Sequence, residues 1–289
     1  MSRRKAGPAA PEPASDAADA AAEVAPFLRW VGGKRQIVRR LVEFAPSDAA
    51  QRRYIEPFLG AGSLFFALTP QQAVLGDANS HLVSCYRAVR DHAAQVAAGL
   101  RRHAAAHSED HYYRVRALYN RSPASPARAA QFIYLNQACY NGVFRVNTKG
   151  QFNVPCGSRE PNLPASDDLE RVARHLRPAK LVVGDFATTL ASAQRGDFVY
   201  LDPPYPPLNG TAYFAHYTMD RFGDEDQERL ATLVRQLDER GCAVMVSNAD
   251  RKSVRALYAG FAIRRLSVTR YVTCKKKRHR VREVVITNY

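Results

Sequence analysis

Short apolar runs that stop at a carboxylate or a glycine turn punctuate this chain, and they restrict its fold more than any other feature. Tyr54-Ile55-Glu56-Pro57-Phe58 runs into the turn Gly60-Ala61-Gly62, and a helical stretch, Ser63 to Leu68, follows. Ala73-Val74-Leu75-Gly76-Asp77, Leu181-Val182-Val183-Gly184-Asp185 and Phe198-Val199-Tyr200-Leu201-Asp202 all end in an acid. Runs of this length separated by helical stretches are the grammar of an α/β protein with a parallel sheet. The sequence therefore predicts a Rossmann-like sheet. In it, strand, glycine loop, helix, strand and acid form a cofactor cradle.

Between about Arg87 and Arg177 the texture changes to helical segments rich in Ala, Arg and Tyr, then to a loop-rich stretch, Asn136 to Gly157. This reads as a mainly helical insertion at 87–177. The α/β pattern occupies 26–86 and 178–289. Asp224 with Gln227 three residues on reads as a capping box opening a helix to about Arg240, stopped by Gly241. Cys242 to Ser247 is a buried strand, and Ala262 to Tyr271 with Val281 to Thr287 forms a closing antiparallel hairpin. Residues 1–25 hold ten alanines among prolines and carboxylates and read as a disordered tail.

Charge narrows the class. In 289 residues, 42 Lys and Arg stand against 27 Asp and Glu, a net charge of +15. Such an excess attracts phosphate or an anionic membrane surface, and nucleic acid is the commonest use of it; a merely basic surface is the alternative. The run Lys275 to Arg280 is expected on backbone phosphates. No apolar run approaches the roughly 18–20 residues of a membrane span. The five cysteines are odd in number, widely spaced and free of C-x-x-C, so the expectation is a reducing cytoplasm and no zinc. His103, His107 and His111 would share one helix face, but the arginines beside them disfavour a metal. Pro155-Cys156 lacks the context of a catalytic thiolate and reads as a turn.

Two segments carry chemistry. Gly60-Ala61-Gly62 lets backbone approach a ligand, and Asp77 is placed to accept from ribose hydroxyls; the missing third glycine, where Phe65 stands, suits a nucleoside cofactor without phosphates. A plain tight turn is the alternative. Asp202-Pro203-Pro204-Tyr205 emerges from its strand with no N–H donor at either proline. It offers acceptors to an exocyclic amine, through the Asp202 carboxylate and the Pro203 carbonyl, and Tyr205 offers a face for a base to stack on.

With these motifs in view, the chain after residue 26 resembles the Dam-type DNA adenine-N6 methyltransferases. The resemblance rests on Phe27-Leu28-Arg29-Trp30-Val31-Gly32-Gly33-Lys34, Glu56 to Ser63, Asp77-Ala78-Asn79, Leu135-Asn136-Gln137 with Tyr140-Asn141-Gly142, Phe152-Asn153-Val154-Pro155, and Asp202 to Tyr205. It implies a class I methyltransferase fold using S-adenosyl-L-methionine, with no metal, and a target-recognition domain at 87–177. It implies that Trp30, Lys34 and Asp77 hold the cofactor, and that Asp202, at the cofactor–adenine junction, works with Pro203, Pro204 and Tyr205 on the flipped base. By their residue types alone, Trp30 reads equally as a core aromatic and Lys34 as a solvated charge. Asp185 is a candidate contact to the cofactor's adenine. Phe144, Arg145, Lys149 and Phe152 are candidates for a hairpin entering the duplex, or for a solvated loop.

The resemblance also implies a GATC-like site, but Gln137 stands where the GATC enzymes carry a basic residue. Gln137 would pair with adenine if it reached a base, and its neighbours would read instead if it did not. A cognate restriction endonuclease is a possible partner, with a monomer otherwise. An RNA amino-methyltransferase and a catalytically silent DNA-binding module are the competing functions.

Overall fold

The structure, a computed structural model, describes residues 24–205, 222–270 and 279–289. In chain order it forms α1 (Val38–Phe44), β1 (Tyr54–Glu56), α2 (Ser63–Leu68), β2 (Ala73–Asp77), α3 (Ser80–Ala105), α4 (Glu109–Tyr119), α5 (Pro126–Ala138), α6 (Ser166–Leu176), β3 (Ala179–Val183) and α7 (Phe186–Leu190). It continues with β4 (Phe198–Leu201), α8 (Asp224–Glu239), β5 (Ala243–Ala249), α9 (Lys252–Leu257), β6 (Ala262–Arg270) and β7 (His279–Thr287). The described residues build one seven-stranded sheet in the order β3-β2-β1-β4-β5-β7-β6. Strands β1 to β5 run parallel, while β7 pairs antiparallel with both β5 and β6. This is the Rossmann-like sheet with a closing antiparallel hairpin that the sequence predicts. The hairpin's connection, with Lys275 to Arg278 of the basic run, lies outside the described residues, as do residues 1–23 of the expected tail.

The alternation of strand side chains divides the core in two. Tyr54, Leu75, Phe198, Tyr200 and Met245 face one layer, with α1, α2, α3, α5 and α6. Ile55, Val74, Val199, Leu201, Val244 and Val246 face the other, with α7, α8 and α9. Successive residues of a strand point to opposite faces, so apolar runs buried on both sides need helices above and below. Val24 belongs to the first layer.

Long α3 carries the chain from the sheet into the 87–177 segment. Its only non-helical residue is His92, with φ −143° and ψ 38°. Arg87 and Arg90 on it donate to the carbonyls of Leu181 and Ala179 at 2.8 and 3.1 Å, which covers the open edge at β3. Helix α5 packs on α3 so closely that a Cβ on Gly99 would lie 2.6 Å from that of Ala130.

Two local expectations change. The histidines do not share one helix: α3 ends at Ala105 and α4 begins at Glu109, capped by Ser108. The turn still gathers them, with His103 Nδ1 3.1 Å from His111 Nε2 and His107 Nδ1 2.8 Å from the Tyr134 hydroxyl. Burial lowers His103 to about 4, so it packs as a neutral ring. At α8 the N-cap is Gly223, and Asp226, not Gln227, accepts from its N–H at 3.0 Å. Gln227 has another use, described below.

The contact at Gly99 is testable. Gly99→Leu should drive α3 from α5 and lower stability by about 1–3 kcal/mol in urea unfolding, the usual cost of overfilling a packed interface.

Candidate active site

The ends of β1, β2 and β4 build the site. After β1 the chain turns through Gly60 and Gly62, with φ 48° and 66°, in the left-handed region open to glycine. A side chain at Gly60 would also meet Trp30, whose Cδ1 would lie 2.9 Å from its Cβ. Trp30 therefore sits on the glycine loop and stacks on Phe144, with ring centroids 5.7 Å apart. Asp77, at the end of β2, accepts from the N–H of Gly60 at 3.0 Å and of Asn79 at 2.9 Å. Burial raises its carboxyl to about 6 against the pull of those two bonds. Asn79 then caps α3, accepting from the N–H groups of His81 and Leu82.

Asp202 leaves β4 one strand away from this loop. Lys34 reaches it across the sheet end, with Nζ 2.6 Å from Asp202 Oδ2 and 3.0 Å from the Gly32 carbonyl. Lys34 is 6% exposed and Asp202 17%. Gly32, at φ 82°, turns the chain so that the lysine can fold back. The ammonium also lies 4.9 Å from the centre of the Tyr205 ring, a cation–π distance. The hydroxyl of Tyr205 donates to Glu283 Oε2 at 3.0 Å. Gln227 Nε2 donates to the Pro204 carbonyl at 3.0 Å, and Asn248 Nδ2 donates to Gln227 Oε1 at 3.0 Å.

Between the two aspartates lies Glu56, the last residue of β1 and 3% exposed. Burial, reinforced by the carboxylates of Asp202 and Asp77, holds it well above the usual carboxyl range. Its Oε2 takes no hydrogen bond from any described residue. Three acids thus converge at the carboxyl ends of neighbouring parallel strands, where α/β sheets take ligands. Such a site favours a ligand with positive charge and hydroxyl donors.

The structure thus brings Trp30, Lys34, Asp77, Asp202, Pro203, Pro204 and Tyr205 to one end of the sheet. Asp185 stands at the same end, just past β3, where the Gly184 N–H donates to the Asp77 carbonyl at 3.1 Å. It caps α7 through the Ala187 N–H at 2.9 Å and pairs with Arg229 at 2.6 Å. Phe144 and Phe152 are each 3% exposed and pack with Phe132 and Tyr119, so the aromatics of the loop-rich stretch belong to the core. The hairpin is present nonetheless: Val146 bridges Phe152, Asn147 closes the turn through Gln151, and Arg145 and Lys149 are exposed. Gln137 donates to the Phe27 carbonyl at 3.0 Å. Its neighbour Asn136 both accepts from Arg29 N–H and donates to Arg29 carbonyl at 2.8 Å. Leu135-Asn136-Gln137 thus clasps the segment before Trp30 instead of facing outward.

Sequence reasoning left Glu56, Asn248 and Glu283 without roles, and it gave Gln227 the wrong one. Glu56 sat inside a quoted motif, but its burial depends on strand order. For Asn248 and Glu283 the available signal was a polar residue inside an apolar strand run.

Comparisons with known proteins agree with this geometry. Residues 30–272 match the family described as D12 class N6 adenine-specific DNA methyltransferase. The type II methyltransferase M1.LlaDCHI of Lactococcus lactis subsp. cremoris is 38% identical over 272 residues, covering 91% of this chain and 95% of that protein. The type II methyltransferase M.MjaIII of Methanocaldococcus jannaschii is 38% identical over 288 residues, covering 92% of this chain and 100% of that protein. The DNA adenine methylase of Escherichia coli (strain K12) is 33% identical over 250 residues, covering 86% and 88%. A match across most of the chain, with the acids and the proline turn assembled at one sheet end, leaves one conclusion. The chain belongs to the D12 class of N6-adenine-specific DNA methyltransferases.

Proposed function

We propose that this enzyme uses S-adenosyl-L-methionine to methylate N6 of an adenine flipped out of a specific site in duplex DNA. One observation carries the reading: the acceptor-only turn at Asp202 lies beside the Gly60–Asp77 cradle, with Lys34 on its carboxylate and Glu56 at the end of the strand between them. The residues fit the cofactor. Gly60 and Gly62 open the backbone, Trp30 supplies an aromatic face, Asp77 accepts from ribose hydroxyls, and the acids give the negative character a sulfonium and an ammonium need. When bound, S-adenosyl-L-methionine supplies an electrophilic methyl group on a sulfonium that leaves readily.

The protein's part is orientation and electrostatics. Asp202 Oδ and the Pro203 carbonyl accept the two hydrogens of the adenine amine, which favours a nitrogen lone pair directed out of the ring. Asp202 offsets the charge that develops on nitrogen, and the proton leaves afterwards. Tyr205 stacks on the flipped base, whose extraction costs a few kcal/mol. Lys34 fixes the carboxylate. The 87–177 segment is the recognition domain, with exposed Arg145 and Lys149 at its hairpin toward DNA. The target is a GATC-like sequence in cytoplasmic DNA, and the names of the type II relatives support pairing with a restriction endonuclease.

Three outcomes test this. Asp202→Ala should lower the single-turnover methyl transfer rate by about 10²-fold or more. Because it strands the buried Lys34, a fall in Tm should accompany the loss, and the double variant Lys34→Met, Asp202→Ala should regain stability but not activity. A second outcome follows from Asp77. Its ionised form grows as pH rises through about 6, so cofactor binding should weaken as pH falls below that value, by about tenfold per pH unit at the acid limit. Calorimetric titration from pH 5 to 8 reads this, and Asp77→Asn should bind weakly at every pH. Third, Gln137→Ala should leave the methylation profile over all single-base variants of GATC unchanged, while Arg145→Ala should relax it. A shifted profile for Gln137→Ala would return that residue to base reading.

A further inference from the structure

We propose that Gln227 and Asn248, together with Glu283, form a buried brace that positions the Asp202–Tyr205 turn, and that they are positioning residues for methyl transfer. The inference rests on the reading of that turn as the target-amine site. A turn with prolines at 203 and 204 has no N–H of its own at either position. It must be held from outside, by donors to its carbonyls and by the side chain of Tyr205. The structure supplies both kinds of hold from elements distant in sequence.

The direction of the chain of amides is dictated by its ends. A prolyl carbonyl only accepts, so Gln227 presents its NH2 to Pro204 at 3.0 Å. Its Oε1 then needs a donor, and Asn248 Nδ2 provides one at 3.0 Å. Asn248 Oδ1 in turn accepts from the Ala249 N–H at 2.8 Å. Reversing either amide would set acceptor against acceptor. The other hold is the bond from Tyr205 to Glu283, which sits on β7 opposite Ala249 of β5.

The environment makes these residues costly as packing alone. Gln227 is 3% exposed, Asn248 0% and Glu283 2%. Gln227 shares the buried face of α8 with Leu230, Ala231 and Val234. Asn248 follows Val244, Met245 and Val246 in a strand buried on both faces. An apolar side chain of similar volume would fill either place without the penalty of burying an amide. What the amides add is a fixed position for one carbonyl. With Pro204 committed to Gln227, the acceptors that remain for an amine are Asp202 and the Pro203 carbonyl.

The test uses the full chain, a duplex carrying the methylated sequence and S-adenosyl-L-methionine. Gln227→Met, Asn248→Leu and the double variant are compared with the wild type and with Asp202→Asn. Single-turnover rate, Kd for cofactor, Kd for DNA, circular dichroism, and the fluorescence of 2-aminopurine at the target position are measured. The expected result is a rate loss of about 10–100-fold in each folded variant, the scale on which misplacing a reacting group acts. Both Kd values should stay within about threefold, and the fluorescence rise on flipping should match the wild type. The double variant should lose no more than the worse single, as members of one chain do.

A folded Gln227→Met with the wild-type rate overturns the brace. So does a rate loss matched by equal losses in both affinities. If none of the variants folds, the amides serve stability and the proposal is likewise overturned. Asp202→Asn separates the two readings: if it is fully active the turn itself is misassigned, whereas if it is inactive beside wild-type Gln227 and Asn248 variants only the brace fails.

Discussion

The buried ion pair between Lys34 and Asp202 is the interaction on which the arrangement of the site depends. Removing two charges from water costs several kcal/mol per ion, and close geometry with further hydrogen bonds must repay it. Here Lys34 is 2.6 Å from the carboxylate and also bonds the Gly32 carbonyl. The pair joins residues 168 positions apart. It therefore holds the opening segment down on the end of β4. The same segment is gripped from its other side by Asn136 and Gln137 of α5, through Arg29 and Phe27. A loop that carries Trp30 is thus fastened both to the Asp202 turn and to α5.

The three acids at this end of the sheet differ because their surroundings differ. Asp77 keeps two backbone N–H donors and rises only to about 6. Glu56, buried and flanked by both aspartates, is held well above the usual carboxyl range. Asp202 has the lysine. One protonatable acid between a carboxylate on a cradle and a carboxylate in an ion pair limits the repulsion that three like charges would otherwise store in the fold.

The inserted segment serves the core as much as the surface. Phe144 and Phe152 run from Trp30 to Tyr119 in a continuous aromatic layer, and their hairpin exposes only polar and basic residues at its end. The groups exposed at the hairpin are the cations Arg145 and Lys149, while its rings lie in the core.

The sequence by itself determined the strands, because alternating burial on two faces demands apolar runs whose ends are marked by glycine and acid. It determined Asp202-Pro203-Pro204-Tyr205 as an acceptor turn, since prolines remove donors wherever they stand. The family resemblance was equally legible, its motifs lying in order along one dimension. Tertiary structure alone decided what each polar side chain faces. Gln227 reads as a cap from its spacing to Asp224, yet α8 packs over β5 so that its amide points at Pro204. Gln137 reads either as a base contact or as a residue that never reaches one, and α5 turns its amide to the Phe27 carbonyl. Phe144 reads as part of a duplex-entering hairpin or of a solvated loop, and its ring is buried in the core. Glu56 looks like one more acid in a motif until strand order sets it between two others. Hydrogen-bond partners are chosen by proximity in three dimensions, and the burial that makes them obligatory exists only once the sheet and its two helical layers have closed.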